Sequence, residues 1–329
     1  MTPAQTEFHA PVPEHRSRFW YAGDELRTVW KLTAFAGIGV ICLFLVALVL
    51  HGAGLDAVFA AQSAMMVAAL AAATAFGVRV IDAREWRREG FPMDRAALVE
   101  FGAGTAGGAG MVGVIVLVFA SGGLSSYIIT VVSFGHALRV LAEGTLLFTL
   151  VAAGEELMLR GYVFTSLERG MGRWGTLATT SVVFGVLHAG NPNVTGAGLA
   201  NIVLAGVWLG MARMRSGAIW LPIGLHFGWN VALGVVAGHP VSGVPIESVA
   251  LATHVGNVLL TGGVFGPEAG LVASVVLVAG IGAAWRWGGV IRRAPGNPDA
   301  GAARMDGMDT METMDTPRGD APARDRGAA

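Results

Sequence analysis

The sequence predicts an all-α fold, a polytopic bundle of transmembrane helices. Its composition, its long apolar runs and the placement of its arginines each point to this class. Of 329 residues, 53% are hydrophobic and only 14% are charged, whereas an average soluble domain carries about 25% charged residues. Glycine is abundant, at 48 residues, and small residues let transmembrane helices approach one another closely. The chain is therefore expected to lie in a lipid bilayer.

Charge and cysteine content exclude several function classes. Lys plus Arg number 22 against 23 for Asp plus Glu, so no excess positive charge is present to neutralise nucleic-acid phosphates. The single cysteine, Cys42, lies in an apolar run, which excludes an intrachain disulfide and a multi-cysteine zinc site. The phosphate loop, the H-E-x-x-H zinc helix and the G-x-S-x-G nucleophile turn are all missing from the sequence. Nucleic acid is therefore not an expected partner.

Eight runs are apolar enough to be membrane spans, since a helix needs about 20 mostly apolar residues to cross the hydrocarbon core. Each is bounded by charge, proline or a polar cluster. The fifth and sixth are short, and residues 124–132 could form a further interfacial or re-entrant piece. In order, the runs are 32–50, 57–77, 98–120, 137–164, 176–189, 199–214, 218–237 and 269–285.

Arginine and lysine placement predicts the orientation, because cytoplasmic loops carry the excess of basic residues. Basic residues lie in alternate loops. They precede the first span (Arg16, Arg18, Arg27, Lys31), separate the second and third (Arg79, Arg84, Arg87, Arg88, Arg95), and follow the fourth (Arg169, Arg173), the sixth (Arg213, Arg215) and the last (Arg286, Arg292, Arg293). The intervening loops, around 52–56, 121–136, 190–198 and 238–268, contain none. The pattern predicts a multi-pass plasma-membrane protein with both termini in the cytoplasm.

The composition divides the chain into four parts. Residues 1–31 form a cytoplasmic N-terminal segment, and residues 32–137 form a first group of transmembrane helices. Residues 138–291 form a core that carries the polar intramembrane side chains and the last span. Residues 292–329 mix Pro, Gly and Ala with charge, so this tail buries too little apolar surface to fold and is predicted to be a disordered cytoplasmic tail.

The few polar side chains on these apolar runs are the candidate functional residues. A charge at mid-membrane costs at least about 2.5–3.5 kcal/mol on insertion scales, so intramembrane ionisable groups are functional candidates by default. Glu143 lies nearer an end and is predicted to be an interface residue. The candidates are Glu155, Glu156 and Arg160 in the fourth run, His188 at the end of the fifth, and His226 and Asn230 in the seventh.

Helical spacing predicts which of these side chains act together. Glu156 and Arg160 are four residues apart, with the acid first, which favours a same-face ion pair of structural importance. Glu155 projects about 100° away, so it needs another partner or must stay protonated. His226 and Asn230 also share a face. If the three helices pack together, one carboxylate, two imidazoles and an amide converge on a polar cavity suited to activating water against a carbonyl.

Simpler interpretations exist for each residue alone. A buried Glu–Arg pair is more often structural than catalytic, and a single intramembrane histidine is as consistent with binding a backbone carbonyl as with chemistry. His136, His239 and His254 are predicted to lie in wet loops. Catalysis is favoured because two adjacent acids and two separated histidines occur together on apolar runs that have few other polar residues.

Three short motifs resemble a known family. Residues 155–160 fit E-E-x-x-x-R, residues 184–188 fit F-x-x-x-H, and residues 226–230 fit H-x-x-x-N. In this order and spacing they resemble the CPBP (ABI) family of intramembrane proteases, which includes type II CAAX prenyl proteases and bacteriocin-processing relatives. The likeness extends over about residues 138–237, and residues 260–270 also look like bacterial members.

The resemblance implies an intramembrane endopeptidase whose motif helices surround a cavity in the membrane. Its substrate would be a membrane-anchored or hydrophobic peptide. Carried over residue by residue, Glu155 and His188 would activate the attacking water, while His226 and Asn230 would stabilise the oxyanion. The motif residues that would support the helices are Glu156, Arg160 and Phe184.

The resemblance leaves the cofactor open, because the family has been described both as metalloproteases and as metal-independent glutamate proteases. Glu155, His188 and His226 could supply three zinc ligands with an open fourth position. A glutamate in a dry cavity can also act as base unaided, and we prefer this interpretation, in which no cofactor is required. The rival functions are a non-proteolytic immunity or binding scaffold that keeps the motif helices and, less favoured, a transporter with Glu155 as its proton site.

Overall fold

The computed structural model describes residues 19–22, 25–54, 59–87 and 89–289. Within these ranges the chain is a helical bundle with two small antiparallel sheets. Residues 1–18 and the predicted disordered tail, 292–329, lie outside the described residues.

Two of the helices, the second and the seventh, continue into a π-helical turn, at Gly77–Ile81 and Val231–Val236. Short 3-10 turns occupy Gly263–Phe265 and Pro267–Ala269. The helices are α1 Thr28–Gly52, α2 Phe59–Phe76, α3 Arg95–Ser121, α4 Phe134–Arg160, α5 Tyr162–Leu187, α6 Gly196–Ser216, α7 Trp220–Asn230, α8 Val258–Thr261 and α9 Leu271–Arg286. The strands are β1 Tyr21–Ala22, β2 Glu25–Leu26, β3 Ser125–Ile129 and β4 Ala250–His254.

The apolar helices confirm the predicted membrane bundle. By length and hydropathy, α1, α2 with its π turn, α3, the α4–α5 pair and α6 can cross a bilayer, while α7 with its π turn and α9 are shorter apolar helices. Apart from the boundary between α4 and α5, these elements match the eight apolar runs of the sequence. The number of helices that cross the membrane stays a prediction. In its most apolar stretch, α6 is 61% buried and α1 only 11%, so α6 lies at the centre and α1 at the periphery.

The boundary between α4 and α5 differs from the prediction. The fourth apolar run was expected to extend to Phe164 and the fifth to begin at Thr176, but the break falls at Gly161, and α5 already begins at the next residue. A Cβ at Gly161 would lie 2.4 Å from a carbonyl oxygen of the preceding turn. Gly172 adds a kink inside α5, with a φ of 75°. Hydropathy joined the apolar first turn of α5 to the fourth run and left out residues 165–175 because that stretch is largely polar.

Close glycine contacts hold α7 against α3. A Cβ at Gly104 or Gly108 of α3 would lie 2.5 Å or 2.1 Å from a carbonyl oxygen of α7. In return, a Cβ at Gly224 or Gly228 of α7 would lie 2.2 Å or 2.1 Å from a carbonyl oxygen of α3. The two helices therefore touch backbone to backbone, as small residues permit in membranes. This contact fixes the position of the helix that carries His226.

Residues 124–132 contain a strand where an interfacial or re-entrant piece was expected. Strand β3 pairs antiparallel with β4, in a register from Ser125 opposite His254 to Ile129 opposite Ala250. The segment is rich in β-branched and aromatic residues, which favour strands. Its partner lies far along the chain, and local hydropathy carries no information about that pairing.

His239 is buried beneath this sheet, which corrects its assignment to a wet loop. Its side chain is 1% exposed, and its ring packs edge to face on Phe119 and Tyr127. Its Nε2 lies 3.1 Å from the Tyr127 hydroxyl and its Nδ1 lies 3.4 Å from His254 Nε2. Burial, with a smaller contribution from His254, lowers the pKa of His239 to about 4.

Arg213 of α6 fixes the C-terminal end of α4. Its Nε donates to the carbonyl oxygen of Arg160 at 3.0 Å, and its Nη2 donates to the carbonyl oxygen of Glu89 at 3.2 Å. Arg213 is buried, and the carbonyl that it caps belongs to the last turn of α4, which helix geometry leaves without an internal partner. The turn of α4 that bears the two adjacent glutamates is therefore anchored to the central helix.

Candidate active site

The predicted polar residues line one cavity. It has a volume of about 510 Å³ and lies among α2, α4, α6, α7 and the end of α5. Glu155, His188, His226 and Asn230 all face it, and most of the remaining wall is apolar. The structure thus brings together, from two helices and the end of a third, the carboxylate, the two imidazoles and the amide that the sequence singled out.

Glu155 faces both imidazoles. Its Oε2 lies 3.8 Å from Nε2 of His188 and 3.8 Å from Nε2 of His226. These separations are longer than a direct hydrogen bond. Among the described residues, this buried oxygen has no hydrogen-bond partner. A small polar group or water between the three side chains would give the carboxylate oxygen the partner that burial demands.

The backbone and a second glutamate orient the two imidazoles. His188 follows the last turn of α5, and its Nδ1 lies 2.7 Å from the carbonyl oxygen of Phe184. A carbonyl only accepts, so Nδ1 carries a proton and Nε2 is directed at Glu155. His226 Nδ1 lies 3.0 Å from Glu156 Oε1, which leaves its Nε2 facing Glu155 as well. This arrangement fixes both rings by their Nδ1 atoms.

Glu156 and Arg160 form the buried pair that their spacing predicts. Arg160 Nη1 donates to Glu156 Oε1 at 3.2 Å, and both side chains are fully buried. Arg160 Nη2 also donates to the carbonyl oxygen of Gly206 at 3.1 Å, and its guanidinium lies 4.6 Å from the ring centroid of Phe184. The pair therefore joins α4 to α5 and α6, and through the bond to His226 it also positions an imidazole.

Asn230 lies one helical turn beyond His226 on α7 and is 4% exposed. Both side chains reach the cavity from the same helix face, as their spacing predicted. Glu143, by contrast, is exposed on α4 and lies 3.3 Å from Arg139. It is not part of the cavity wall, in keeping with the prediction of an interface residue.

Glu268 is a cavity residue that the sequence reasoning missed. Its Oε1 accepts from the indole Nε1 of Trp229 at 3.0 Å, and its Oε2 accepts from the backbone N–H of Ser242 and from the Ser242 hydroxyl at 3.0 Å. The Ser242 carbonyl in turn accepts from Asn191 Nδ2 at 3.0 Å. The available signal was the likeness of residues 260–270 to bacterial relatives, which includes Glu268.

Asn201 is a second missed residue of the cavity wall. Its Nδ2 donates to the carbonyl oxygen of Gly270 at 3.0 Å, and its Oδ1 accepts from the Ser274 hydroxyl at 2.7 Å. The amide therefore fixes the start of α9 against the central helix α6. A lone asparagine in an apolar span was the signal that could have identified it, because such residues are costly in the membrane without a partner.

The arrangement does not form a ready zinc site. Among the described residues, no group of three or more His, Cys, Asp and Glu side chains is placed to hold a metal ion. Zinc ligands lie about 2.0–2.2 Å from the ion. To bind zinc, Glu155 Oε2 and the Nε2 atoms of His188 and His226 would all have to lie at that distance from one point. Zinc binding by Glu155, His188 and His226 stays a prediction.

Comparison with known proteins finds a family match in the central part of the chain. Residues 135–232 match the family model described as Rce1-like, type II CAAX prenyl endopeptidase Rce1-like. The matched region includes all three motifs. No curated protein matches the chain, and no solved structure does. The chain is a multi-pass membrane protein in which residues 135–232 are similar to Rce1-like endopeptidases, and this similarity is consistent with the CPBP family of intramembrane proteases.

Proposed function

We propose that the protein is an intramembrane endopeptidase in which Glu155 and His188 activate water to hydrolyse a peptide bond of a membrane-associated substrate. One observation carries the proposal. Glu155 Oε2 is buried, has no hydrogen-bond partner among the described residues, and lies 3.8 Å from Nε2 of both His188 and His226. These atoms face a cavity whose wall is otherwise mostly apolar.

Water activation begins between Glu155 and His188. The 3.8 Å separation leaves room for a water that donates one hydrogen to the carboxylate and the other to Nε2 of the imidazole. As the water oxygen attacks the carbonyl carbon, its proton passes to Glu155, which acts as general base. The bond between His188 Nδ1 and the Phe184 carbonyl keeps Nε2 as the acceptor.

Oxyanion stabilisation falls to α7. His226 has Glu156 on its Nδ1 side and Glu155 on its Nε2 side, and the proposal places a proton on each ring nitrogen. Its Nε2–H and the side-chain amide of Asn230 are then donors to the carbonyl oxygen as negative charge develops there. The buried Glu156–Arg160 pair holds the imidazole in place through Glu156.

Collapse of the tetrahedral intermediate breaks the bond from carbon to nitrogen. The proton held by Glu155 passes to the leaving nitrogen, so the products are a carboxylic acid and an amine. Most of the cavity wall is apolar, and a low local dielectric strengthens each electrostatic interaction there. The reaction needs no group beyond these side chains and water.

The test is turnover of a membrane-associated substrate by purified protein and its Glu155→Gln variant. Loss of a general base typically lowers the rate by about 10²–10⁴-fold. The control is Glu143→Gln, which removes a carboxylate from an exposed site on the same helix and should leave turnover unchanged. A Glu155→Gln protein that retains more than about a tenth of the wild-type rate would contradict the proposal. A binding scaffold would show no turnover in any variant.

A chelation experiment tests the metal-independent mechanism. Activity should persist after prolonged dialysis against a strong chelator. Loss of activity, restored by stoichiometric zinc that elemental analysis finds bound, would establish a metalloprotease instead.

A further inference from the structure

A tight hairpin turn, residues 241–244, forms part of the cavity wall. Val241 and Val244 pair antiparallel, with N–H to carbonyl distances of 3.0 Å and 2.9 Å. The two residues between them have positive φ angles, 48° at Ser242 and 85° at Gly243, as a type I′ turn requires. A positive φ is uncommon for a residue other than glycine, so the conformation of Ser242 depends on contacts from the rest of the structure.

Two distant segments bind the tip of the hairpin turn. The carbonyl oxygen of Ser242 accepts from Asn191 Nδ2 at 3.0 Å. The Ser242 N–H and hydroxyl both donate to Glu268 Oε2, the hydroxyl at 3.0 Å. The Gly243 N–H donates to the carbonyl oxygen of Phe265 at 2.9 Å. The turn is therefore held between the segment that contains Asn191 and the segment that contains Glu268.

The outer ends of this network lie on the elements that carry the proposed catalytic side chains. The backbone N–H of Asn191 donates to the carbonyl oxygen of His188 at 3.0 Å, so Asn191 belongs to the turn that follows His188. On the other side, Glu268 Oε1 accepts from Trp229 Nε1 at 3.0 Å. Trp229 directly precedes Asn230 on α7. A continuous path of hydrogen bonds therefore joins the end of α5 to α7 through the hairpin turn.

The helices themselves connect these two ends only indirectly. Among the described residues, α5 packs mainly on α6 and α4, while α7 packs mainly on α3. The proposed reaction needs His188 and His226 together, and the Nε2 of each ring lies 3.8 Å from Glu155 Oε2. A displacement of about 1 Å between reacting groups can lower a rate by about 10²-fold. The network through the hairpin turn fixes the separation on which the reaction depends.

We infer that Asn191 and Glu268 are positioning residues, which hold His188 at a fixed separation from α7 by binding the hairpin turn between them. Asn191 acts through the backbone that follows His188, and Glu268 acts through the indole of Trp229. The inference rests on the proposed function and adds to it the residues that maintain its geometry.

The test breaks the network at three points with small changes. Asn191→Leu removes the amide donor and keeps a similar shape. Trp229→Phe removes the indole N–H and keeps an aromatic ring. Glu268→Gln leaves one acceptor oxygen where the carboxyl group offers two. The matched control is Trp220→Phe on the same helix, whose indole N–H donates to the carbonyl oxygen of Pro92 at 2.6 Å, outside the cavity wall.

Two measurements are made on each variant. Turnover of a membrane-associated substrate by purified, folded protein gives kcat and KM. Double electron–electron resonance between spin labels at positions 190 and 236, in a Cys42→Ala background, gives the distance between the end of α5 and the π turn that continues α7. Both positions are exposed, and a Cβ at Gly190 would contact nothing within 4 Å.

Each of the three variants should lower kcat at least about tenfold, because the reacting groups lose their alignment, and should leave KM within about threefold of wild type. The distance distribution should broaden or shift in the same variants. Trp220→Phe should keep the wild-type distribution and a kcat within about threefold of wild type.

Unchanged kcat in Asn191→Leu and Trp229→Phe would overturn the inference, and so would an equal loss in Trp220→Phe. A loss of kcat with an unchanged distance distribution would also overturn it, because these side chains would then act on the substrate directly. If one variant does not fold, the other two decide. Absence of turnover in wild type would refute the proposed function, and the distance distributions alone would then decide whether the network holds the two elements together.

Discussion

Replacing Glu156 with alanine should destabilise the protein strongly, because it leaves the guanidinium of Arg160 buried without a counter-ion. Removing one partner of a buried ion pair costs about 3–5 kcal/mol. Arg160 would keep its bond to the Gly206 carbonyl and its contact with the Phe184 ring, and such a cation–π contact contributes about 0.5–2 kcal/mol. The expected loss is therefore about 3 kcal/mol, at the lower end of that range.

The assay is thermal unfolding of detergent-solubilised protein, in which a loss of this size lowers the midpoint by about 5–10 °C. The control is Glu143→Ala, which breaks a pair of the same i,i+4 spacing on the same helix. Its side chain is 63% exposed and that of Arg139 is 50% exposed, so the change should leave the midpoint nearly unchanged. A double variant that adds Arg160→Met removes both buried charges and should recover most of the stability.

Two outcomes would refute this reasoning. Equal midpoints for Glu156→Ala and Glu143→Ala would mean that the buried pair contributes no more than an exposed one. A Glu156→Ala protein of full stability would mean that Arg160 does not need Glu156 as its counter-ion, and loss of all turnover in that protein would assign Glu156 a role in catalysis instead.

Three further predictions concern catalysis, orientation and pH. Asn230→Asp should lower kcat more than it raises KM, because it replaces an oxyanion donor with a negative charge; an effect confined to KM would assign Asn230 to ground-state binding. We also propose that both termini are cytoplasmic. In a cysteine-free background, single cysteines are placed at positions 255 and 83, which are both exposed, and a membrane-impermeant reagent should label intact cells at 255 and not at 83. Labelling at 83 and not at 255 would show the opposite orientation. Burial lowers the pKa of His239 from its ordinary 6.5 to about 4. Between these two pH values the histidine of the unfolded chain is protonated and that of the folded protein is not. The free energy of unfolding should therefore fall as the pH drops from about 6.5 to 4. His239→Gln should flatten that melting profile, and an unchanged slope would contradict the burial argument.

The sequence alone determined the membrane bundle and identified the polar groups that meet in its cavity, and the reasons are local. Hydropathy over about 20 residues reports a bilayer-length helix wherever it falls in the chain. The helical repeat places Glu156 with Arg160, and His226 with Asn230, without knowledge of any other helix. The cost of polar groups in the membrane singled out the four residues that line the cavity.

Only the tertiary structure decided the features that depend on distant residues. Strand β3 forms because Ser125 meets His254, 129 residues away, and the same packing buries His239. Glu268 enters the cavity wall through contacts with Trp229 and Ser242, on segments 39 and 26 residues away. Such contacts depend on how whole helices pack, where close approach of backbones and satisfaction of buried polar groups select one arrangement. The sequence pattern of a single helix or loop does not predict this packing arrangement.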